Sequence, residues 1–481
     1  VRSTDCSAAS NRRGDWSDAV GIAKWAKCSA AMLAICAAMV ATAQAQPIPR
    51  TVGLSREQAQ AQWTRPPRLD RGRIERAGLR IIEGQFLTLI TDLPATPAID
   101  QLVQVADAAT PQLCDYFQLP RRAIDRWQVR ACLVRDKQVF IALGLLDQQR
   151  SDFPHGLSIG YCLWINEQSS IDYTRHLLLH ELAHSFMSTQ LGGCGPGWYM
   201  EGMAELLGTH KWDSEAQTIA LGVMPPNRDG FAMWGRTKPI RDAVAAGQPQ
   251  PISAVLAIDN RRPLSTEQYA WCWALAKLLD THPQYRERWR ALAPHVLDPG
   301  FNQRFYAAFA DDFSHLDTEW QLFTGTLDYG FDIEREAIDF DFGRELTGPQ
   351  AECRVAADRG WQSTTWQLEA GRRYQLSASG QFVIAREADG TPWPCEANGV
   401  TLDYHAGRPL GQLLGVIDPR SPGQVSRKPG TAAFCEPFPL DVETTIEPTV
   451  SGTLYLRVND SAAKLSDNQG ELHIKLRRLP E

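Results

Sequence analysis

The chain has 481 residues, 43% of them hydrophobic and 22% charged, with 49 Lys+Arg against 56 Asp+Glu and a formal charge of -7. That composition implies a folded protein of two or three domains and excludes a mainly disordered or collagen-like chain. A sequence pI of about 5.9 and a mean hydropathy of -0.30 argue against a nucleic-acid binder, which needs a concentrated basic face, and against a multi-span membrane protein.

In chain order, residues 1–45 read as a leader and signal peptide. Lys24 and Lys27 form a positive n-region, residues 28–40 an apolar h-region, and Ala43-Gln44-Ala45 the small-x-small rule for cleavage before Gln46. The branched Ile35 before Cys36 argues against a lipoprotein signal. The expectation is an exported protein, periplasmic or extracellular, with no transmembrane span after cleavage. Cleavage takes away five basic and three acidic residues, so the formal charge becomes -9, and it leaves eight cysteines. An even count in an exported chain permits disulfides. None of the eight shows the CxxC spacing of a thiolate zinc site.

Residues 46–77 read as an N-terminal arm rich in Gln, Arg and Pro. From 78 to 345 strands and helices mix. Strands are expected at 87–91, 127–134 and 156–166, and an amphipathic helix at 97–117. Helices are then expected at 171–190, 198–211, 237–246, 265–281 and 302–324. Residues 345–350 read as a linker. Beyond it apolar residues alternate in short runs, such as Tyr374, Leu376, Ala378 and Leu472, Ile474, Leu476. Residues 346–481 are therefore expected to form an all-β sandwich that folds alone.

The strongest chemical signal is His180-Glu181-Leu182-Ala183-His184, inside a stretch from Thr174 to Met187 without Gly or Pro. Ser169 to Asp172 reads as a capping box at its start. On a helix, positions i and i+4 share a face, so His180 and His184 can close on one zinc ion. Glu181 is placed to take a proton from zinc-bound water as general base. After the breaker at 192–197 comes Trp198-Tyr199-Met200-Glu201-Gly202-Met203-Ala204-Glu205. A tight reversal and a second helix would bring Glu201 over the histidine pair and complete a His2Glu zinc set. Glu205, at i+4 from Glu201, is the alternative ligand; its preferred reading is an acceptor for the free ring N–H of a ligand histidine. His176 continues the histidine stripe and reads as a support behind the ligands or as packing, since it is one histidine more than the zinc needs.

HELAH followed by WYMEGMAE resembles the gluzincin metallopeptidases, the clan of thermolysin and the M1 aminopeptidases, and within the peptidase MA-like group the DUF1570-type proteins. The likeness covers residues 165–290 closely and 78–345 more loosely. It implies an α+β zincin-like metallopeptidase domain, with His180, His184 and Glu201 as zinc ligands, Glu181 as general base and Glu205 behind the ligands. Tyr269, at the head of a helix, is similar in position to the tyrosine that donates to the oxyanion in the M1 enzymes. No G-x-M-E-N segment precedes His180, so aminopeptidase specificity is not implied. The strand at 156–165 takes the place of the edge strand that pairs with a peptide substrate. The implied activity is hydrolysis of peptide bonds. The contrasting reading is a non-catalytic zinc-binding surface or carbohydrate-binding protein.

In the C-terminal domain, the loop 458–470 carries Asp460, Asp467 and Asn468, hard oxygen ligands for calcium, with loop carbonyls such as that of Lys464 to complete the shell. Ala378-Ser379-Gly380, the Gly411 to Gly415 segment and this loop together resemble the PA-IL-like calcium-dependent lectin fold. The resemblance implies a calcium site at Asp460, Asp467 and Asn468 and a carbohydrate ligand. It places the lectin's sugar-contacting side chains near Cys395 and Asn398, which do not match in type.

Overall fold

The computed structural model describes residues 51–480, apart from Ala232, Arg262 and 421–433. The leader and signal peptide therefore lie outside the described residues. Among the described residues no helix is long and apolar enough to cross a membrane.

The first sheet comprises β1 (Arg80–Glu83), β2 (Leu87–Thr91), β3 (Val129–Val134), β4 (Gly156–Ile159) and β5 (Cys162–Asn166), in the order β1-β2-β3-β5-β4. β2, β3 and β5 are parallel, whereas β1 and β4 run antiparallel on the two edges. Side chains alternate between the faces. Ala131 and Leu133 of β3 join the main core with the helices, and Cys132 and Val134 join a second core with Ile74, Leu79, Phe140 and Leu157.

The expected single strand at 156–166 is a hairpin. It turns at Gly160, whose φ of +55° suits a residue without Cβ. Leu157, Ile159, Leu163 and Ile165 keep one odd-numbered alternation through a two-residue turn, so the period alone does not reveal the reversal. A further hairpin, β6 (His210–Asp213) with β7 (Thr218–Leu221), follows the metal-motif helices.

Helix α1 (Leu102–Tyr116) and helix α2 (Ile171–Phe186) pack on the main face of the sheet. α2 is buried on nearly every side from Tyr173 onward. The capping box expected at its start is absent: Ser170 is the N-cap and makes no side-chain cap bond. Asp172 falls at the second helical position and pairs with Arg175 instead. The helix runs on through a π-turn at Met187–Leu191 and stops at Gly192, with φ +89°. Helix α3 (Gly197–Gly208) then returns against α2, followed by α4 (Thr237–Ala245) and α5 (Thr266–Thr281). The helix expected at 302–324 is two, Phe301–Ala308 and α6 (Phe313–Thr326). Arg288 binds both the Ala308 carbonyl and the Asp312 carboxylate across the break, at 3.2 and 2.8 Å.

From residue 51 the arm is strapped to this domain. The Arg56 Nε and Gln60 side chains donate to the Gln190 carbonyl at 2.9 and 2.7 Å, and Trp63 is buried beside the Gly160 turn.

The C-terminal strands are β8 (Arg344–Glu345), β9 (Gln350–Ala356), β10 (Gln362–Leu368), β11 (Tyr374–Ser379), β12 (Phe382–Arg386), β13 (Pro392–Cys395), β14 (Asn398–His405), β15 (Arg408–Asp418), β16 (Phe438–Leu440), β17 (Glu443–Ile446), β18 (Gly452–Val458) and β19 (Glu471–Arg478). One sheet runs β14-β15-β18-β10-β8, with β16 beside β15, and the other β17-β11-β19-β9. Leu376, Leu413, Leu454, Leu456, Leu472 and Ile474 fill the space between them. β8 ends at Glu345, the first residue of the segment expected as linker, and pairs with β10, while β9 takes up Gln350, which shortens the connection to 346–349.

This β region is joined broadly to the helical region. Ile338 and Phe340 pack with Trp361, Leu414, Val416, Phe434 and Tyr455. Arg457 is bidentate to Glu336 at 2.9 and 3.1 Å, and the Ala462 carbonyl accepts from the Asp332 N–H at 3.0 Å. A fragment of residues 346–481 would expose Trp361, Leu414 and Tyr455, each worth about 1.5–3 kcal/mol when buried. It is expected to melt at least about 5 °C below the same sandwich in the full chain. Calorimetry of the two checks this, and equal transitions would mean the contact adds nothing.

Candidate metal centre

The 3.6-residue period of α2 brings His180 and His184 onto one face, with their Nε2 atoms 3.0 Å apart. Glu201, in the second turn of α3, holds Oε2 3.4 Å from each of these nitrogens. All three side chains are buried, and Glu201 Oε2 has no hydrogen-bond partner. The three atoms face a common point, and their separations approach the about 3.3 Å edge of a tetrahedron with ligands about 2.0–2.1 Å from a metal. This cluster could hold a metal ion.

His176, His180 and Glu205 also lie within ligand range of one another. This second group is the poorer cation site, because Arg236 already occupies Glu205. Its Nε and Nη2 donate to the two carboxylate oxygens at 2.9 and 2.8 Å, and a guanidinium repels a cation. Each Glu205 oxygen also approaches a histidine: Oε2 lies 3.5 Å from His176 Nε2, and Oε1 lies 3.5 Å from His180 Nδ1. The region buries three carboxylates, Glu181, Glu201 and Glu205, and one guanidinium, Arg236, which pairs with Glu205. With neutral histidines the balance is -2, which a divalent cation would cancel.

The electrostatics follow from this crowding. Burial pushes Glu205 upward, but Arg236 and His176 outweigh it and hold the carboxyl well below its usual range. Burial likewise opposes ionisation of Glu201, and His184 and His180 bring it down to about 2. Glu181 moves the other way: burial raises it, against the pull of His180 and His184. Its carboxylate lies against Gly156 at the start of the edge strand β4, where a Cβ would collide with it, and the nearby Ser158 side chain favours the ionised form.

Tyr269 heads α5, whose Ser265 capping box is complete. Its ring centroid is 6.3 Å from that of His180. Burial, then the charges of Glu201, Glu205 and Glu181, raise its phenol well above the ordinary value and keep it a donor. Tyr173 stacks on His176 at 5.6 Å.

Two glycines permit the close approach of the helices. A Cβ on Gly202 would sit 2.8 Å from the Cys272 carbonyl of α5, and one on Gly208 would sit 2.9 Å from the His176 ring. Arg236, Gly156 and Ser158 were not found by sequence reasoning. A lone arginine 31 positions after its partner carries no local signal, and the other two act only through the sheet edge.

In the sandwich, Asp460 and Asn468 come together. Asp460 Oδ2 accepts from Asn468 Nδ2 at 2.9 Å, and Oδ1 accepts from the Ser461 N–H at 2.6 Å. Both residues are buried, and Asn468 Oδ1 has no partner. Asp467 is exposed, and the Lys464 carbonyl accepts from its N–H at 3.1 Å. Cys395 is buried in the sandwich core, which removes it from any sugar contact, and Asn398 is exposed. All eight cysteines from Cys114 to Cys435 are free thiols.

No family model matches the chain, and no curated protein matches it. Among solved structures, the EclA N-terminal domain, a PllA-like lectin, is similar over 27% of this chain and 98% of that chain, at 19% identity and a TM-score of 0.20.

Gly202→Ala is expected to destabilise the protein by about 1–3 kcal/mol, because the new methyl meets backbone rather than a movable side chain. The shift of the denaturation midpoint measures it. An unchanged midpoint would show that α3 and α5 can separate without cost.

Proposed function

We propose that this protein is an exported, zinc-dependent metallopeptidase that hydrolyses peptide bonds with Glu181 as general base. The observation that carries the reading is the convergence of His180 Nε2, His184 Nε2 and Glu201 Oε2 within 3.0–3.4 Å, with Glu181 beside them. Two nitrogens and one carboxylate oxygen, leaving a fourth direction open, suit a catalytic zinc. Of the two glutamates, Glu201 is the proposed ligand and Glu205 the proposed acceptor behind it, because Arg236 already binds both Glu205 oxygens. Export rests on the signal-peptide pattern of residues 24–45 alone.

A bound zinc supplies a Lewis acid that polarises a carbonyl and acidifies water. The chain's own groups do the rest. Glu181 accepts a proton from the attacking water and returns it to the leaving amine. Gly156 leaves room for the Glu181 carboxylate, and the Ser158 side chain beside it favours its ionised form. Tyr269, kept protonated, donates to the oxygen on which negative charge develops. The edge strand β4 offers backbone groups to an extended peptide beside Glu181.

Zinc is expected at one ion per chain. His180→Ala and Glu201→Ala each lose most of it in a chelator competition. Glu181→Gln keeps the metal but lowers turnover of a mixed peptide library by at least about 100-fold. Tyr269→Phe keeps the fold and loses at most about 100–1000-fold. Equal cleavage by wild type and Glu181→Gln would sink the mechanism. Zinc binding with no cleavage by either would support a non-catalytic zinc protein.

Calcium binding at Asp460, Asn468 and Asp467 is proposed for the sandwich, with Asp467 swinging in from solvent, and a carbohydrate ligand is proposed with it. The unpartnered Asn468 Oδ1 beside Asp460 supports the cation. Millimolar calcium is expected to raise the melting temperature of the full chain, and Asp460→Ala to abolish the rise. No calcium-dependent shift in the wild type would leave a plain structural sandwich.

A further inference from the structure

Glu205 is a buried carboxylate whose two oxygens are each shared between a guanidinium N–H and a histidine nitrogen. Oε1 takes Arg236 Nη2 at 2.8 Å and faces His180 Nδ1 at 3.5 Å; Oε2 takes Arg236 Nε at 2.9 Å and faces His176 Nε2 at 3.5 Å. Arg236 comes from neither helix of the metal motif. It is the residue before α4, is 8% exposed, and lies with its guanidinium carbon 5.4 Å from the Tyr269 ring centroid. A planar fork bound to both oxygens fixes the plane of the carboxylate as well as its charge, which a lysine's point charge does not do.

That plane has a chemical consequence. An ionised Glu205 can only accept, so the 3.5 Å approach of its Oε1, longer than a made hydrogen bond, favours the tautomer that carries the His180 proton on Nδ1. The lone pair of His180 is then left on Nε2, the atom turned toward His184 and Glu201. The same carboxylate approaches His176, neither of whose ring nitrogens makes a hydrogen bond, at 3.5 Å from Nε2.

We propose that Arg236 is a positioning residue of the metal centre: by clamping Glu205 it selects the tautomer and the ring orientation in which His180 presents Nε2 to the metal. It also bars a cation from the His176–His180–Glu205 cluster. This rests on the zinc reading above and extends it to a residue that lies just before a third helix.

The test uses the full chain, zinc alone as the probe with a chromophoric chelator in competition, and Co2+ substitution for the visible spectrum. Wild type comes first: failure to bind zinc there would sink the zinc reading and this proposal with it, whereas zinc binding isolates the role of Arg236. Arg236→Met and Glu205→Gln are each expected to weaken zinc binding by about 10–100-fold and to shift the Co2+ bands. The double variant is expected to be no weaker than the weaker single one, since both changes cut one path. Arg236→Lys, which keeps charge but not the fork, is expected between Arg236→Met and wild type. Arg236→Met strands a buried carboxylate, so where it fails to fold the double variant carries the test: it folds, and it binds zinc more weakly than wild type. Wild-type zinc affinity and Co2+ spectrum in a folded Arg236→Met or double variant, whatever their melting temperature, would reduce Arg236 to a structural counter-ion. Additive losses in the double variant would also overturn the single path.

Discussion

Buried charge without a partner is among the most costly things a protein can contain. Here His176, His180, His184, Glu181, Glu201, Glu205 and Arg236 are all buried in one region, amid Leu, Met, Trp and Phe side chains. Each must be answered by another member of the set or by an ion. The arrangement divides accordingly. Arg236 satisfies Glu205, Glu205 faces His176 and His180, and Glu201 converges with His180 and His184 with one oxygen unpartnered. The excess of carboxylate over guanidinium is what makes a divalent cation the natural remaining partner.

The surrounding fold can be understood as the means of bringing these groups together. The helix α2 has to be dry on almost every side to keep its polar stripe from water, so it lies between the sheet and the returning helices. Glycine appears where the approach is closest: Gly202 against the Cys272 carbonyl, Gly208 against the His176 ring, Gly156 against Glu181. A methyl at any of these would have to displace backbone, an imidazole or the proposed base. Among the described residues β4 is an edge strand, with Gly156 at its start beside Glu181.

The sandwich is attached by more than its connecting segment. Trp361, Phe434 and Tyr455 meet Phe340, Arg457 meets Glu336, and the loop after Asp460 is tied to Asp332. That loop is therefore both the place where Asp460 and Asn468 meet and part of the contact with the helical region.

Much of the histidine–glutamate cluster was legible in the chain itself, because its parts are local. The separation of His180 and His184 is the helical repeat, and Glu201 and Glu205 follow on the next helix within reach of one reversal. The sandwich was legible too, since alternation such as Tyr374, Leu376, Ala378 needs no knowledge of the partner strand. The Gly160 turn escaped because a two-residue reversal preserves that same alternation. The capping box was misread because local sequence names a donor and an acceptor but not the residue at which the helix begins. What sets the surroundings of the two glutamates apart is Arg236, which pairs with Glu205 and reaches α3 from a loop beyond a hairpin. Spacing along the chain determined which residues could share a helix face; only the packing of α3, α4 and α5 around α2 decided which buried charges would meet, since that choice is made by close approach between segments distant in sequence.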